Sequence, residues 1–352
     1  MSIGGSRIEI SAPRGRAPVC LAAVVAAAAL VFSALAALAP WAALAAGAQA
    51  PAVVPGATGA PGVAGLRISL SGAGGQPLFT LAGDSVTVSG TVTPYAAGQQ
   101  VQITVTRQGR TVAVQSVAES AGSSGRGVFS VRVHSRYSGL VRIEAQHAAT
   151  AQQAAFAASA APVRFLDPSV AAGSSGFSVR SLQSELAGLH YAVPLSGSFE
   201  EGTANALIAY RKMVGLERVP EAGRAVLELL RRGAGAFHVR FRSDGRHVEA
   251  DLTKQVLAEI EPGGRVRAIY TTSSGKPSTP TVLGRFRVYE KTYGVNSEGM
   301  VDSNYFIRGY AIHGYAEVPT YAASHGCLRV PIPDAPAIYA WVRYGTPVDV
   351  YN

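Results

Sequence analysis

The run Ser324-His-Gly-Cys-Leu-Arg329, near the carboxyl end of a 352-residue chain, is the segment that decides the fold. A second run, Ala311-Ile-His-Gly-Tyr315, precedes it, so that ten residues, 314–323, separate its histidine from Ser324. The chain has two cysteines, and the one in the first run, Cys327, stands far from the other, Cys20. Two cysteines at this distance exclude a disulfide scaffold and a zinc knuckle.

The two runs contain the residue types that a cysteine nucleophile needs. A free thiol has a pKa of ~8.5, so a nearby imidazole or positive charge must favour its thiolate, and His313 and His325 are candidates. The amides of Gly326 and Cys327 are candidates for an oxyanion site. Strand alternation places Arg329 on the side of Cys327, where it can hold a carboxylate. The alternative, a cysteine that is only a small buried residue, fits poorly beside glycine and polar neighbours.

Alternating apolar residues around these runs predict a β-rich domain over residues 236–352. The predicted strands are 237–242, 247–252, 255–261, 265–272, 285–291 and 346–351. A short helix is predicted over 335–342, before Gly345.

Residues 247–352 resemble the L,D-transpeptidase catalytic domain of the YkuD family. That family has a His, a variable loop, and then Ser/Thr-His-Gly-Cys with Arg or Asn two residues later, and the run at 324–329 matches it fully. Ser274-Gly-Lys-Pro-Ser-Thr-Pro280 and Gly345-Thr-Pro-Val348 are supporting matches. Gly314 stands where some relatives place a Ser that orients the histidine, so a backbone carbonyl is expected to orient His313 instead.

The resemblance implies a mixed β-sandwich and a cysteine enzyme of the cell wall. It implies attack on the bond between diaminopimelate and D-Ala of a peptidoglycan tetrapeptide stem, and transfer of the acyl group to an amine of a second stem. Cys327 is then the nucleophile and His313 the general base. The remaining assignments are His325 and the Gly326 backbone at the catalytic centre, and Ser324, Gly314, Tyr315 and Arg329 toward the substrate. No cofactor or metal is implied, and carbapenem β-lactams are the implied inhibitors.

Apolar residues at helical spacing predict three helices before the catalytic domain, over 177–189, 203–213 and 222–230. Residues 175–233 resemble the three-helix peptidoglycan-binding domain, through Leu182-Gln183, Gly197-Ser-Phe199 and Thr203-Ala204. Most of these positions belong to core and turns, so the resemblance supports the fold better than it supports carbohydrate binding.

Six short alternating segments between glycine-rich turns predict an all-β sandwich over residues 66–165. They are 66–70, 85–89, 101–105, 111–114, 128–133 and 140–144. The module resembles the immunoglobulin-like spacers of bacterial surface proteins, and a stalk or adhesive spacer is the expected role. The alanine-rich stretch 151–172 is interpreted as a linker between this sandwich and the helices.

The N-terminal 48 residues are typical of an export signal. Residues 1–16 contain three Arg and one Glu, residues 17–46 are almost wholly apolar, and Ala46-Gly-Ala48 follows. The alternative is a retained membrane anchor, since the apolar segment is long enough to span ~30 Å of hydrocarbon. In both cases the later domains lie in the cell wall, outside the membrane. Residues 49–65, rich in Pro, Gly and Ala, are a predicted linker.

The composition restricts the partners. A chain that is 15% charged and 48% hydrophobic is not a disordered polyelectrolyte. Removal of residues 1–48 lowers the net charge from +9 to +7, because three Arg and one Glu are lost. This charge favours an anionic envelope, and export together with the lack of a nucleic-acid-binding motif argues against nucleic acid. Three functions remain: a transpeptidase, a carboxypeptidase or wall-protein anchoring enzyme of the same fold, and a non-catalytic wall-binding protein.

Overall fold

The computed structural model describes residues 6–10 and 65–352. Nearly all of the predicted export signal and of the linker 49–65 therefore lies outside the described residues. In the described part, a two-sheet β module is followed by three helices and by a second two-sheet module. Among the described residues, no helix combines the length and the apolar character needed to cross a membrane.

Two sheets enclose the core of the first β module. Its strands are β1 (Ser6–Ile10), β2 (Gly65–Ser71), β3 (Phe79–Leu81), β4 (Ser85–Thr93), β5 (Gln100–Arg107), β6 (Arg110–Ala118), β7 (Ser120–Ala121), β8 (Gly127–Ser135), β9 (Gly139–His147), β10 (Phe156–Ser159) and β11 (Val163–Leu166). One sheet has the order β1-β8-β4-β2 with β7 beside β8, and the other has β3-β11-β9-β5-β6 with β10 beside β9. Alternate residues of both sheets, such as Val88 and Ile103, are fully buried between them.

All six strands predicted for this module are present, as β2, β4, β5, β6, β8 and β9. The stretch 151–172 is not a plain linker, because it contains β10 and β11, and β11 pairs with both β3 and β9. All four residues of β11 are buried, so this strand lacks the period-two alternation that identified the others. The immunoglobulin-like assignment stays a prediction.

The strand β1 lies inside the predicted export signal. It pairs in parallel with β8, and its Ile8 and Ile10 are buried. A chain cleaved near Ala48 lacks β1, and a chain anchored by its apolar segment holds β1 on the opposite side of the membrane from β8. The pairing therefore belongs to the chain before export, and export stays a prediction.

The three predicted helices are present as α1 (Phe177–Gly188), α2 (Glu201–Val214) and α3 (Arg224–Arg231). Their apolar faces share one core, to which Leu182 and Leu207 contribute fully buried side chains. The same core includes Phe79 of β3 on one side and Ile269 of the second β module on the other. The helices are therefore packed between the two β modules.

The second β module also has two sheets. Its strands are β12 (His247–Asp251), β13 (Val256–Glu261), β14 (Arg265–Thr271), β15 (Gly284–Arg287), β16 (Glu290–Val295), β17 (Val301–Ile307), β18 (Tyr310–Tyr315), β19 (Leu328–Pro331) and β20 (Pro347–Tyr351), and its helix is α4 (Ala335–Trp341). The sheet orders are β14-β13-β12-β20-β15 and β16-β17-β18-β19. Val248, Ile312 and Val348 are fully buried in the core that the sheets share with α4.

Two strand predictions for this module are wrong. Residues 237–242 form no strand, because the amides of Arg240 and Phe241 donate instead to the carboxylate of Glu249, over 2.8–3.0 Å. Residues 285–291 are divided between β15 and β16, which belong to different sheets. The strands β17, β18 and β19 were not predicted. β18 contains the run 311–315, and the run 324–329 leads into β19, which begins at Leu328.

A buried ion pair joins the first β module to the helices. Arg164 of β11 donates to Glu185 of α1, both residues are 8% exposed, and Arg164 also donates to the carbonyl of Pro77 at 2.6 Å. Burial raises the pKa of Glu185, although Arg164 acts in the opposite direction. Each charge therefore depends on the other to offset its loss of water.

We expect Glu185→Ala to destabilise the contact between these modules by about 3 kcal/mol, because it leaves the Arg164 guanidinium buried without its carboxylate. Urea unfolding, with hydrogen exchange of α1 and β11 as the local probe, measures the loss. Glu144→Ala is the control, since Glu144 is exposed on the outer side of β9. Equal stability of the two variants would contradict the expectation.

Candidate active site

Parallel pairing of β18 with β19 brings the two sequence runs together. His313 of β18 lies opposite Arg329 of β19. Strand alternation places Tyr315 on the face of His313, and Cys327 lies in the bend directly before β19, two residues from Arg329. The rings of His313 and Tyr315 are 5.6 Å apart and nearly perpendicular, and the Arg329 guanidinium lies 4.1 Å from the Tyr315 ring centre. Three of the predicted site residues thus share one face of the sheet, and the cysteine lies at the end of the loop that leads into β19.

His313 is held as a neutral base. It is 2% exposed, and its Nδ1 lies 2.9 Å from the carbonyl oxygen of Gly314, as expected for orientation by a backbone carbonyl. A carbonyl only accepts, so Nδ1 carries the hydrogen and Nε2 is left with its lone pair. Burial lowers the pKa of His313 to about 4; the bond to Gly314 opposes this and the charge of Arg329 adds to it.

Cys327 is held as a neutral thiol. Burial raises its pKa, while a backbone hydrogen bond at Ala311 and the charge of Arg329 lower it. Glu298, at the tip of the β16–β17 hairpin, raises the pKa further. The Sγ atom of Cys327 lies 3.8 Å from the carbonyl oxygen of Gly309. Both groups are therefore neutral at rest, a thiol and an imidazole.

Ser324 holds the turn that carries the cysteine. It is 1% exposed, its Oγ donates to the carbonyl of Cys327 at 2.6 Å, and it accepts from the amide of Gly326 at 3.1 Å. Ser324 thus contacts backbone in this state, where we expected it to face substrate. The Gly326 amide must exchange this partner before it can bind an oxyanion, which leaves the Cys327 amide as the more direct candidate.

The two glycines of the site are required by close packing. Gly326 has φ +118°, and a Cβ there would lie 2.5 Å from the ring of Tyr310, a residue the sequence analysis did not single out. A Cβ on Gly314 would lie 2.8 Å from the Cβ of Ala335 and 3.2 Å from the Cα of Ile332. Gly314 therefore packs against the start of α4, and its predicted place toward substrate has no support from this contact.

His325 points to a different neighbour from the other site residues. It is exposed, and its Nε2 lies 3.2 Å from Nζ of Lys276. Lys276 belongs to the run 274–280. That run is a supporting match to the family, and no role was predicted for its residues. Within residues 6–10 and 65–352, no group of three or more His, Cys, Asp or Glu side chains is arranged to hold a metal ion.

The buried polar segment 271–274 forms hydrogen bonds with the backbone of the site residues. Ser273 exchanges backbone hydrogen bonds with Arg329 at 3.0 and 3.1 Å, and its Oγ donates to the carbonyl of Tyr321 at 2.6 Å. The carbonyl of Ser274 accepts from the amides of Ala323 and Ser324 at 2.8 and 2.9 Å. Four consecutive buried hydroxyl residues, 271–274, were the available sequence signal for this role.

Residues 245–350 match the model of the L,D-transpeptidase catalytic domain, YkuD. An L,D-transpeptidase structure from Xylanimonas cellulosilytica is 34% identical, over 52% of this chain and 97% of that one, with a TM-score of 0.48. An L,D-transpeptidase from Stackebrandtia nassauensis is 21% identical, over 52% and 95% of the two chains, with a TM-score of 0.35. A comparison with curated proteins found no match.

The family match covers the module that contains His313, Cys327 and Arg329. The chain belongs to the L,D-transpeptidase (YkuD) family and is an enzyme of that class. The peptidoglycan-binding assignment of residues 175–233 stays a prediction.

Alkylation of Cys327 tests whether the resting pair is neutral. In a Cys20→Ser variant, Cys327 is the only thiol. His313 stays neutral above a pH of about 4, so no imidazolium stabilises the thiolate near neutrality. We expect the iodoacetamide rate to be below that of the urea-unfolded chain at pH 7 and to rise steadily into the alkaline range. A fast rate that levels off between pH 5 and 7 would instead indicate a thiolate–imidazolium pair.

Proposed function

We propose that the chain is an exported L,D-transpeptidase that uses Cys327 as its nucleophile and forms 3-3 crosslinks in peptidoglycan. The observation that supports this best is the register of the paired strands β18 and β19, which sets His313 opposite Arg329, two residues after Cys327. The donor is a tetrapeptide stem, cleaved between diaminopimelate and its terminal D-Ala.

Acylation begins from the neutral pair. Cys327 Sγ attacks the carbonyl carbon of diaminopimelate while its proton passes to Nε2 of His313, and the carbonyl oxygen takes the negative charge. The Cys327 amide faces this oxyanion, and the Gly326 amide joins it on leaving Ser324. When the tetrahedral intermediate collapses, the bond to D-Ala breaks and the imidazolium returns its proton to the leaving amine. The product is a thioester on Cys327.

Deacylation reverses the proton path. The amine of a second stem attacks the thioester and His313 accepts its proton. The carbon–sulfur bond then breaks, and the imidazolium gives that proton to the departing sulfur, which restores the thiol. A low pKa for His313 suits both halves, because the ring is an unprotonated acceptor at the start of each and a strong acid once protonated.

Arg329 is the proposed contact for a substrate carboxylate. Its guanidinium stacks on Tyr315, which fixes the plane of its donors toward the cleft. A tetrapeptide stem carries carboxylates near the scissile bond, and a bidentate pair with one of them orients the acyl group toward Sγ. The same charge lowers the pKa of Cys327 as negative charge develops on the sulfur.

The other modules fit a wall enzyme. We propose that the N-terminal 48 residues direct export or tether the chain to the membrane, that the immunoglobulin-like module is a spacer, and that the three-helix module binds wall. Such an order holds the enzyme on its polymer and raises the local concentration of stems. Carbapenems are the proposed inhibitors, through acylation of Cys327.

Two alternatives use the same domain differently. A carboxypeptidase passes the acyl group to water, and an anchoring enzyme passes it to a wall protein, so both keep the thioester and differ only in the acceptor. A non-catalytic wall-binding protein needs no reactive thiol, and the burial of His313 with a free Nε2 beside the cysteine strand disfavours it.

We expect Cys327→Ala to lower release of D-Ala from disaccharide-tetrapeptide by at least about 10³-fold, because no other group replaces the nucleophile. Product mass spectrometry of the full chain measures D-Ala, crosslinked dimer and hydrolysed tripeptide together. The dimer identifies a transpeptidase and the tripeptide a carboxypeptidase.

Cys20→Ser is the matched control, since it removes the other cysteine of the chain. It should leave turnover unchanged. Undiminished D-Ala release by Cys327→Ala would contradict the proposed mechanism.

A further inference from the structure

The helical module places a buried cation beneath the catalytic module. Lys212, near the end of α2, is 2% exposed. Its Nζ donates to the carbonyl of Gln255 at 2.9 Å, to Oγ1 of Thr271 at 2.7 Å and to the carbonyl of Thr272 at 2.9 Å. Three ammonium hydrogens thus meet three acceptors, and all three acceptors belong to the catalytic module. A lysine this deep is retained only where its partners are fixed.

The residues that Lys212 holds are those that support the active site. Oγ1 of Thr272 donates to the carbonyl of Arg329 at 2.7 Å. The Gln255 side chain donates to Oγ of Ser274 at 2.7 Å and accepts from its amide at 2.9 Å. Because residues 273 and 274 bind Arg329 and the end of the loop 314–323, a continuous set of hydrogen bonds runs from Lys212 to both sides of the cysteine.

A second cation of the helical module reaches the loop itself. Arg218, in the segment after α2, donates through Nη1 to the carbonyl of Thr320. Thr320 lies between His313 and Ser324, and the next carbonyl along the chain, that of Tyr321, is held by Ser273. Neighbouring carbonyls of the loop are therefore fixed from two different modules.

Backbone pairing makes the junction between the modules continuous. The segment after α1 lies along β14, where Ile269 donates to the carbonyl of His190 at 2.8 Å and accepts from the amide of Ala192 at 3.0 Å. Apolar packing of Leu207 and Ile269 in one core adds to this. Because the helices are fixed against β14 in this way, the position of Lys212 and Arg218 is fixed relative to the loop 314–323.

We propose that Arg218 and Lys212 are positioning residues of the transpeptidase, and that the three-helix module is a working part of the active site. They fix the loop 314–323 and Arg329 relative to the Cys327 thiol. The inference rests on the proposed role of Cys327, and it is separate from any binding of wall by the same helices.

The test measures turnover and cysteine acylation in the full chain. We expect Arg218→Ala to lower kcat for D-Ala release, and the rate of carbapenem acylation of Cys327, by about tenfold, because a charged hydrogen bond to the loop is lost. KM should change less than kcat, since the loop aligns the reacting groups. Arg218→Lys should restore part of the rate, because an ammonium group can also donate to the Thr320 carbonyl.

Arg232→Ala is the matched control, because Arg232 is an exposed arginine at the end of α3 in the same module. It should leave both rates unchanged. Lys212→Met, which keeps the length of the side chain without the charge, is compared with wild type by circular dichroism and melting temperature. Among folded molecules its acylation rate should fall at least as far as that of Arg218→Ala.

Wild-type kcat and acylation rates in folded Arg218→Ala and Lys212→Met would overturn the proposal, as would a loss of melting temperature alone. Rates that fall equally in Arg232→Ala would overturn it too, since the effect would not depend on the loop. Full activity of Cys327→Ala would instead refute the proposed function, so the two failures are distinguishable.

Discussion

Parallel pairing of β18 with β19 is the constraint on which the rest of the catalytic module depends. Two parallel neighbours require the chain to return to its starting end, and such connections usually take a dozen or more residues with a helix among them. Here the connection runs from Tyr315 to Leu328 without any helix. A connection without internal structure must be held from outside, and Ser273, Ser274 and Arg218 do so.

The same pairing explains the electrostatics of the site. The register sets the imidazole of His313 opposite Arg329, and burial shifts the pKa values of both His313 and the Cys327 thiol. Burial favours the neutral forms of His313 and Cys327, and the charge of Arg329 disfavours a second cation beside it. The protein therefore stores no ion pair at rest. In the proposed mechanism, charge separates only when a substrate carbonyl is present to accept it, and a neutral thiol is less reactive until then.

The sequence predicted the catalytic centre better than the structure that supports it. The runs at 311–315 and 324–329 predicted His313, Cys327 and Arg329 as the candidate site, and the pairing of β18 with β19 brings the two runs together. Tyr310, Ser273 and the cations Lys212 and Arg218 were missed, since their roles depend on contacts between modules that no local pattern records. The strand β11 was missed because a fully buried strand does not alternate.

One apolar core crosses two module boundaries, from Phe79 through the helices to Ile269. Side chains of all three modules therefore contribute to one apolar core. If recombination joined the catalytic module to an unrelated domain, the edge of β14 and the apolar surface around Ile269 would be exposed. The residues of α1 and α2 that cover this surface would have to be transferred together with the catalytic module. We therefore expect the helices and the catalytic domain to be inherited as one unit.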